Sequence, residues 1–379
     1  MLFQAMFQEV PKHGRYHEQL SGEPQVRDYQ HMLQMLNHIL VSAPAYSERK
    51  NRMSFVGLPV NAVFDWSMGT PSGFVAYLDP KVNHMIQKVL NVWGAFLQSP
   101  ESAYVLGEKP HDWFGETGLE DMTRVGNLNG KTNYTFDEMF QTDPSAPHHG
   151  FKSWDDFFTR LFREGIRPVA QPNNDSVIVN ACESRPYKVQ RNVKARDQFW
   201  VKEQPYSVSD MLGRDPAADQ FVGGTIYQAF LNALSYHRWH APVSGRIIKS
   251  YIINGTYYSE PLYTGLYGSN RTHIDDQGIV TAEAYLTSLA TRAVILIEAD
   301  NPAIGTMAFV GVGMAEVSTC DVTVKEGQHV NKGDQLGMFH FGGSTHCLLF
   351  RGGVNLVDFP DTDQSANMPV LDQVAVVQQ

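Results

Sequence analysis

The sequence has no window near the apolar length that a membrane span needs, and its first residues, MLFQAMFQEVPKHGRY, lack the basic lead and sustained apolar run of a secretory signal. Both absences predict a soluble, cytoplasmic protein. Cysteine is scarce too: Cys182, Cys320 and Cys347 are too few and too scattered for a disulfide framework, and no two form a Cys-x-x-Cys pair, which points to a reducing compartment. Positive charge falls short of negative, with 30 Lys and Arg against 40 Asp and Glu and a formal net charge of -10. Without a basic cluster to offset it, that balance argues against nucleic acid or an anionic membrane surface as the main partner. No internal repeat is present. What the chain does have is length and apolar content: 379 residues, 42% of them hydrophobic, suffice for a substantial core in one large or two to three ordinary domains.

The N-terminal part reads as helical. Tyr29, Met32, Leu33, Leu36, Ile39 and Leu40 recur at helical spacing before a stop at Ala43-Pro44. A second helix is predicted from Pro80 to Leu97, capped by Asp79, with Val82, Met85, Ile86, Val89, Leu90, Trp93 and Leu97 on one apolar face. Gly57-Leu58-Pro59 and Gly69-Thr70-Pro71 mark loops between the two. Residues 111–150, rich in Gly, Asp, Asn and Pro, read as a linker or irregular crossover. Ser153 then caps a short helix whose buried side is Trp154, Phe157, Phe158, Leu161 and Phe162. From about Val177 short β-rich runs take over, among them SVIVNA, GRIIKSYII, AVILIEA and MAFVGVGM. The run from Val322 to Phe339 alternates polar residues with Val and Leu around two glycine turns, and resembles the hairpins of barrel-sandwich carrier proteins without a lysine at the carrier tip. The expected class is α+β: an N-terminal helical domain over 1–110, a linker/crossover over 111–150, and a β-rich, barrel-sandwich-like catalytic domain over 151–379.

Three places concentrate reactive residues: Glu183 in Ala181-Cys-Glu-Ser184, the pair His237 and His240 in Tyr236-His-Arg-Trp-His240, and Ser344 in Phe341-Gly-Gly-Ser-Thr-His346. A serine needs a base to become nucleophilic, and a base needs an orienting acid; Ser344, His240 and Glu183 supply those roles if the fold brings them together. Each feature also has a plainer reading. The two histidines could be zinc ligands with Cys347 or His346, although no ordered ligand motif accompanies them. Ser344 could be a hairpin serine, and as a hydrolase nucleophile it lacks the last glycine of G-x-S-x-G, because His346 stands there. Glu183 could simply pair or cap at a strand end.

Tyr236-His-Arg-Trp-His240, followed by Ala-Pro-Val-Ser-Gly245, resembles the Tyr-His-Arg-x-His-x-Pro motif of phosphatidylserine decarboxylases. Gly343-Ser344-Thr345 is similar to their processing site, and Phe157-Phe-Thr-Arg160 through Arg167-Pro168 is similar to a third segment, all in family order. Ala181-Cys-Glu-Ser184, Glu298-Ala-Asp-Asn301 and Leu336-Gly-Met-Phe-His-Phe-Gly-Gly-Ser344 further resemble the family's psilocybin-pathway L-tryptophan decarboxylase branch. One departure bears on mechanism: most of the family has aspartate in a Pro-x-Asp-Gly context where this chain has Glu183.

The resemblance implies that the chain cuts itself between Gly343 and Ser344. His240 would draw the proton from Ser344 while Glu183 holds the imidazole in its useful tautomer; Ser344 attacks the Gly343 carbonyl, and elimination and hydrolysis leave a covalent pyruvoyl cofactor in place of Ser344. No metal is implied. The pyruvoyl ketone would form a Schiff base with a substrate amine and take up electrons as carbon dioxide leaves, with His237 returning a proton. The cleaved fragment 344–379 would remain a partner of the rest. An aromatic L-amino acid, L-tryptophan first, is the expected substrate; phosphatidylserine is the alternative, and the one case that makes a membrane a partner. A degenerate, unprocessed binding module is the non-enzyme reading, and the intact Ser344, His237 and His240 stand against it.

Overall fold

The computed structural model describes residues 2–12, 14–18, 24–48, 57–196, 206–261, 284–317, 319–341 and 344–378. Before the first strand come helices α1 (Leu2–Glu9), α2 (Tyr29–Ile39), α3 (Pro59–Met68), α4 (Pro71–Leu78), α5 (Pro80–Leu97), α6 (Glu116–Gly126), α7 (Phe136–Met139) and α8 (Trp154–Phe158). The cap residues do what their chemistry predicts: Asp28 accepts from the His31 N–H at 2.8 Å, Asp79 from Lys81 at 2.7 Å and Ser153 from Asp156 at 3.1 Å. On α5 the buried stripe is Ile86, Leu90, Trp93 and Leu97, while Met85 and Val92 face solvent. The expected loops at Gly57-Leu58-Pro59 and Gly69-Thr70-Pro71 are shorter than their punctuation suggests. Pro59 and Pro71 each open a helix, at the position where proline's missing N–H leaves nothing unpaired.

Two further expectations are corrected. Residues 111–150 are not structureless: α6 and α7 lie there, α7 carries a Thr135–Glu138 capping box, and Met122, Phe136 and Met139 are buried in the core. Polar loop residues between such short helices hide their period. The short helix after Ser153 ends at Phe158, and Leu161 is exposed.

The β half contains β1 (Val177–Val179), β2 (Arg185–Arg191), β3 (Thr225–Leu231), β4 (Arg238–His240), β5 (Gly245–Ile253), β6 (Arg292–Ala299) and β7 (Thr306–Gly313). It continues with β8 (Thr319–Val322), β9 (His329–Val330), β10 (Gln335–His340), β11 (Ser344–Phe350), β12 (Leu356–Val357) and β13 (Gln373–Val377). The architecture is α+β, as expected, but its sheets are open and not closed barrels. A seven-stranded sheet has the order β2-β3-β11-β7-β6-β5-β9, and two three-stranded sheets are ordered β4-β10-β8 and β1-β13-β12. β11 lies inside the large sheet, with every residue from Ser344 to Phe350 paired antiparallel to β3 on one side and β7 on the other.

Both faces of its middle strands β3, β11, β7 and β6 are buried. Tyr227, Ala229, Leu231, Phe309, Leu348 and Phe350 belong to one core, while Ile226, Val294, Val310, Cys347 and Leu349 belong to the other. This is why β6 and β7 are unbroken apolar runs: no face is left for polar alternation. A third core joins the two halves of the chain, since α1–α8 contribute to it together with Tyr236, Tyr258, Phe341 and Leu371. Among the described residues no helix is long and apolar enough to cross a membrane.

Candidate active site

Ser344 is the first residue of β11, held between Leu231 and Gly313. Its side chain is fully buried, and among the described residues its Oγ has no hydrogen-bond partner. A buried hydroxyl in that state costs about 1–3 kcal/mol, so its retention calls for a reason other than stability. Gly343, the residue before the expected cut, lies outside the described residues.

β4 pairs with β10, which places His240 beside Gln335 and Trp239 beside Gly337. The His240 tautomer follows from its partners. Nδ1 lies 2.7 Å from the Gly333 carbonyl oxygen, which can only accept, so Nδ1 carries the proton; Nε2 then accepts from the Tyr236 hydroxyl at 3.0 Å. Burial pushes the His240 imidazole below its ordinary value, partly offset by the Gly333 hydrogen bond, and so keeps it neutral with its lone pair on Nε2. His237, just before β4, is fully buried; its carbonyl accepts from the Phe339 N–H at 3.0 Å and its ring stacks on Phe158 at 4.1 Å.

Glu183 stands differently from its expected role. Main-chain pairing brings its segment to β4, because the His240 N–H donates to the Ala181 carbonyl at 2.8 Å. The carboxylate itself is taken up elsewhere: Arg167 Nε donates to Oε2 at 2.9 Å, Arg167 Nη2 to Oε1 at 2.5 Å, and the Val370 N–H to Oε2 at 2.9 Å. Among the described residues, then, Glu183, His240 and Ser344 do not form a hydrogen-bonded chain, and the group orienting the His240 Nδ1–H is the Gly333 carbonyl. The physical reason is the buried Arg167 guanidinium, which needs a counter-charge wherever it is desolvated.

Sequence reasoning gave no role in processing to several polar groups around Ser344, and weighed His346 only as a metal ligand. Thr345 Oγ1 donates to the Ala229 carbonyl at 2.9 Å and accepts from Gln228 Nε2 at 3.0 Å, behind the reactive face. His346 shares the Ser344 face of β11, between the rings of Tyr227 and Phe309 at 6.0 Å each, and burial pushes its imidazole down to about 3. Its cross-strand neighbours are Ala229 and Gly311, and a methyl group at Gly311 would meet Phe309, Phe339 and Trp239 at 3.2 Å, so glycine lets those rings close over this face without being pushed apart. His340 pairs with Asp155, its Nδ1 lying 2.9 Å from both carboxylate oxygens, with Asp321 3.7 Å from its Nε2. Burial alone would lower the His340 imidazole, but the hydrogen bond and charges of Asp155 and Asp321 outweigh it and raise the value. That pair therefore contributes stability in full below the ordinary imidazole value and loses it as pH rises through the raised one. Among the described residues, no group of three or more His, Cys, Asp or Glu is placed to hold a metal ion.

Comparison with known proteins identifies the family. A family model for phosphatidylserine decarboxylase matches residues 154–368, and a second with that description matches residues 1–122. Decarboxylase iboD of Amanita muscaria is 41% identical over 86% of this chain and 94% of its own length. The L-tryptophan decarboxylase of Psilocybe cubensis is 38% identical over 92% of this chain and 79% of its own. Phosphatidylserine decarboxylase proenzyme 3 of Schizosaccharomyces pombe is 32% identical over 59% of this chain and 21% of its own. With its motifs in family order, and with relatives alignable along most of its length, this protein belongs to the phosphatidylserine decarboxylase family and is a decarboxylase, a carboxy-lyase.

Proposed function

We propose that the chain is a pyruvoyl-dependent decarboxylase that cuts itself between Gly343 and Ser344 and converts an aromatic L-amino acid, L-tryptophan first, to its amine and carbon dioxide. The observation that carries this reading is the fully buried Ser344 Oγ with no hydrogen-bond partner among the described residues, at the start of an interior strand. In the proposed processing, Ser344 Oγ attacks the Gly343 carbonyl carbon and the amide nitrogen leaves as the free amine. Elimination across the Ser344 Cα–Cβ bond releases the Gly343 carboxylate, and water then replaces the nitrogen, which departs as ammonia. His240, neutral and with its lone pair on Nε2, is the proposed base; to serve Ser344 it must exchange its Tyr236 hydrogen bond for the serine hydroxyl.

A pyruvoyl group at position 344 supplies a ketone for amine capture and a neighbouring carbonyl that accepts the electrons of the breaking carbon–carbon bond. His237, buried beside Phe158, is the proposed residue that returns a proton to the substrate carbon. The aromatic substrate is favoured by the degree of likeness: the two relatives named L-tryptophan decarboxylase are 38% and 39% identical over 92% and 83% of this chain, whereas the Schizosaccharomyces pombe and Oryza sativa phosphatidylserine decarboxylase proenzymes are 32% and 29% identical over 59% and 76% of it. Carbon dioxide release from purified protein given L-tryptophan, or phosphatidylserine in micelles, tests the choice; release from the lipid alone would reverse it.

Two expected results follow from the residue roles. His240→Ala is expected to cleave at least roughly a hundredfold more slowly, and wild-type cleavage to lose half its rate only below the ordinary imidazole value, because burial holds His240 neutral down to lower pH. His237→Ala should still cut but turn over slowly; a gel showing it uncut would exchange the two assignments. The cut fragments should stay together without denaturant, since β11 is laddered on both sides and β13 pairs with β1. Size-exclusion chromatography that separates 344–379 from the remainder would contradict this.

A further inference from the structure

The peptide bond that the proposed function requires to break is approached from both sides by chain that the fold holds fixed. On the nucleophile side, Ser344 is laddered to Leu231 and Gly313, and Thr345 Oγ1 is tied to Ala229 and Gln228. On the acyl side, two consecutive side chains are gripped by helices from the N-terminal part of the chain. His340 is bound through Nδ1 to Asp155 in the first turn of α8 at 2.9 Å. Phe341 packs edge-on against Trp93 of α5, ring centroids 5.3 Å apart, and the Trp93 indole is itself fixed by its N–H donating to the Ser42 carbonyl at 2.9 Å. The fit is close enough that a methyl group on Gly94 would lie 3.0 Å from Phe341 Cζ.

Phe341 also has φ 46°, in the left-handed region that an aromatic side chain adopts only when its surroundings impose it. Only Gly342 and Gly343 separate this imposed conformation from Ser344 in the sequence. An intramolecular attack gains most when both reacting groups are held before the reaction, and displacement by about 1 Å can cost roughly a hundredfold in rate.

We infer that α5 and α8 belong to the self-cleavage device: Trp93 and Gly94 hold Phe341, and Asp155 holds His340, anchoring the chain that leads to the Gly343–Ser344 bond from its acyl side while β11 anchors the serine. Trp93, Gly94 and Asp155 are positioning residues, acting through the chain they hold. The inference rests on the self-processing reading, and it gives the N-terminal helices a part in making the cofactor as well as in building the core.

The test is a time course of chain cleavage after pulse-labelled cell-free synthesis, read on denaturing gels for wild type, His340→Leu, His340→Asn and Gly94→Ala. The same three substitutions are placed in the uncut Ser344→Ala chain, where heat denaturation reports fold stability alone. His340→Leu is expected to slow cleavage roughly tenfold or more. His340→Asn should stay within roughly threefold of wild type, because its amide nitrogen can donate to Asp155 in place of Nδ1. Gly94→Ala is expected to slow cleavage roughly tenfold, while alanine's better helix propensity offsets part of the crowding against Phe341, so its uncut form should lose less melting temperature than that of His340→Leu. Cleavage of His340→Leu and Gly94→Ala at the wild-type rate would overturn the inference. Equal slowing of the Leu and Asn variants, or slowing that tracks lost melting temperature across the set, would overturn it as well. An uncut wild-type chain would instead bring down the self-processing reading, and this inference with it.

Discussion

Replacing Ser344 by alanine is expected to leave the chain in one piece and to abolish decarboxylation altogether. The loss should be all or none, because on this account the hydroxyl oxygen is both the cutting nucleophile and the atom whose elimination creates the ketone. The fold should not suffer. Ser344 Oγ is buried without a hydrogen-bond partner among the described residues, so its removal relieves a desolvation cost of about 1–3 kcal/mol and leaves no group newly unpaired. The variant is thus expected to fold and to melt in a cooperative transition as an uncut chain. Residual turnover by pure Ser344→Ala chain would mean that the reactive carbonyl comes from elsewhere.

Glu183→Ala is expected to produce the largest loss of stability at this site, about 3–5 kcal/mol, through Arg167 and not through His240. Both side chains are buried, the pair is bidentate, and removal of the carboxylate leaves a guanidinium desolvated with the Gly126 carbonyl as its remaining strong acceptor. The Val370 N–H loses its acceptor at the same time. A double variant, Arg167→Met with Glu183→Leu, should recover most of that stability, because a buried ion pair replaced by apolar groups of similar volume is often neutral or better. The same double variant separates the two possible duties of the glutamate. If Glu183 works by satisfying Arg167, self-cleavage returns with stability; if the carboxylate orients His240 during the reaction, stability returns and cleavage does not. Urea denaturation showing Glu183→Ala as stable as wild type would contradict the structural assignment.

How far the sequence could be read depended on whether the signal was local. The strands Gly245–Ile253, Arg292–Ala299 and Thr306–Gly313 were legible as runs of β-branched and apolar residues, and the caps at Asp79 and Ser153 were legible because capping is settled within three residues. The helices opening at Pro59 and Pro71 were hidden by reading proline as a loop marker, when its place in a first turn carries the opposite meaning. Segments of the site were legible as motifs, but their wiring was not. Arg167 and Glu183 lie 16 residues apart, and Asp155 and His340 lie 185 apart, distances at which no spacing rule pairs one charge with another. The sequence named Glu183 as an acid awaiting a base; the fold supplied a cation first.

Intact-mass analysis of purified, active protein tests the central claim most directly, with the sample reduced by a hydride donor in the presence of L-tryptophan. Two chains are predicted, residues 1–343 ending in a free carboxylate and residues 344–379 beginning with a carbonyl group, the smaller one gaining the mass of the trapped amine. A single continuous chain with an unmodified serine at 344, in material that releases carbon dioxide, would contradict the account.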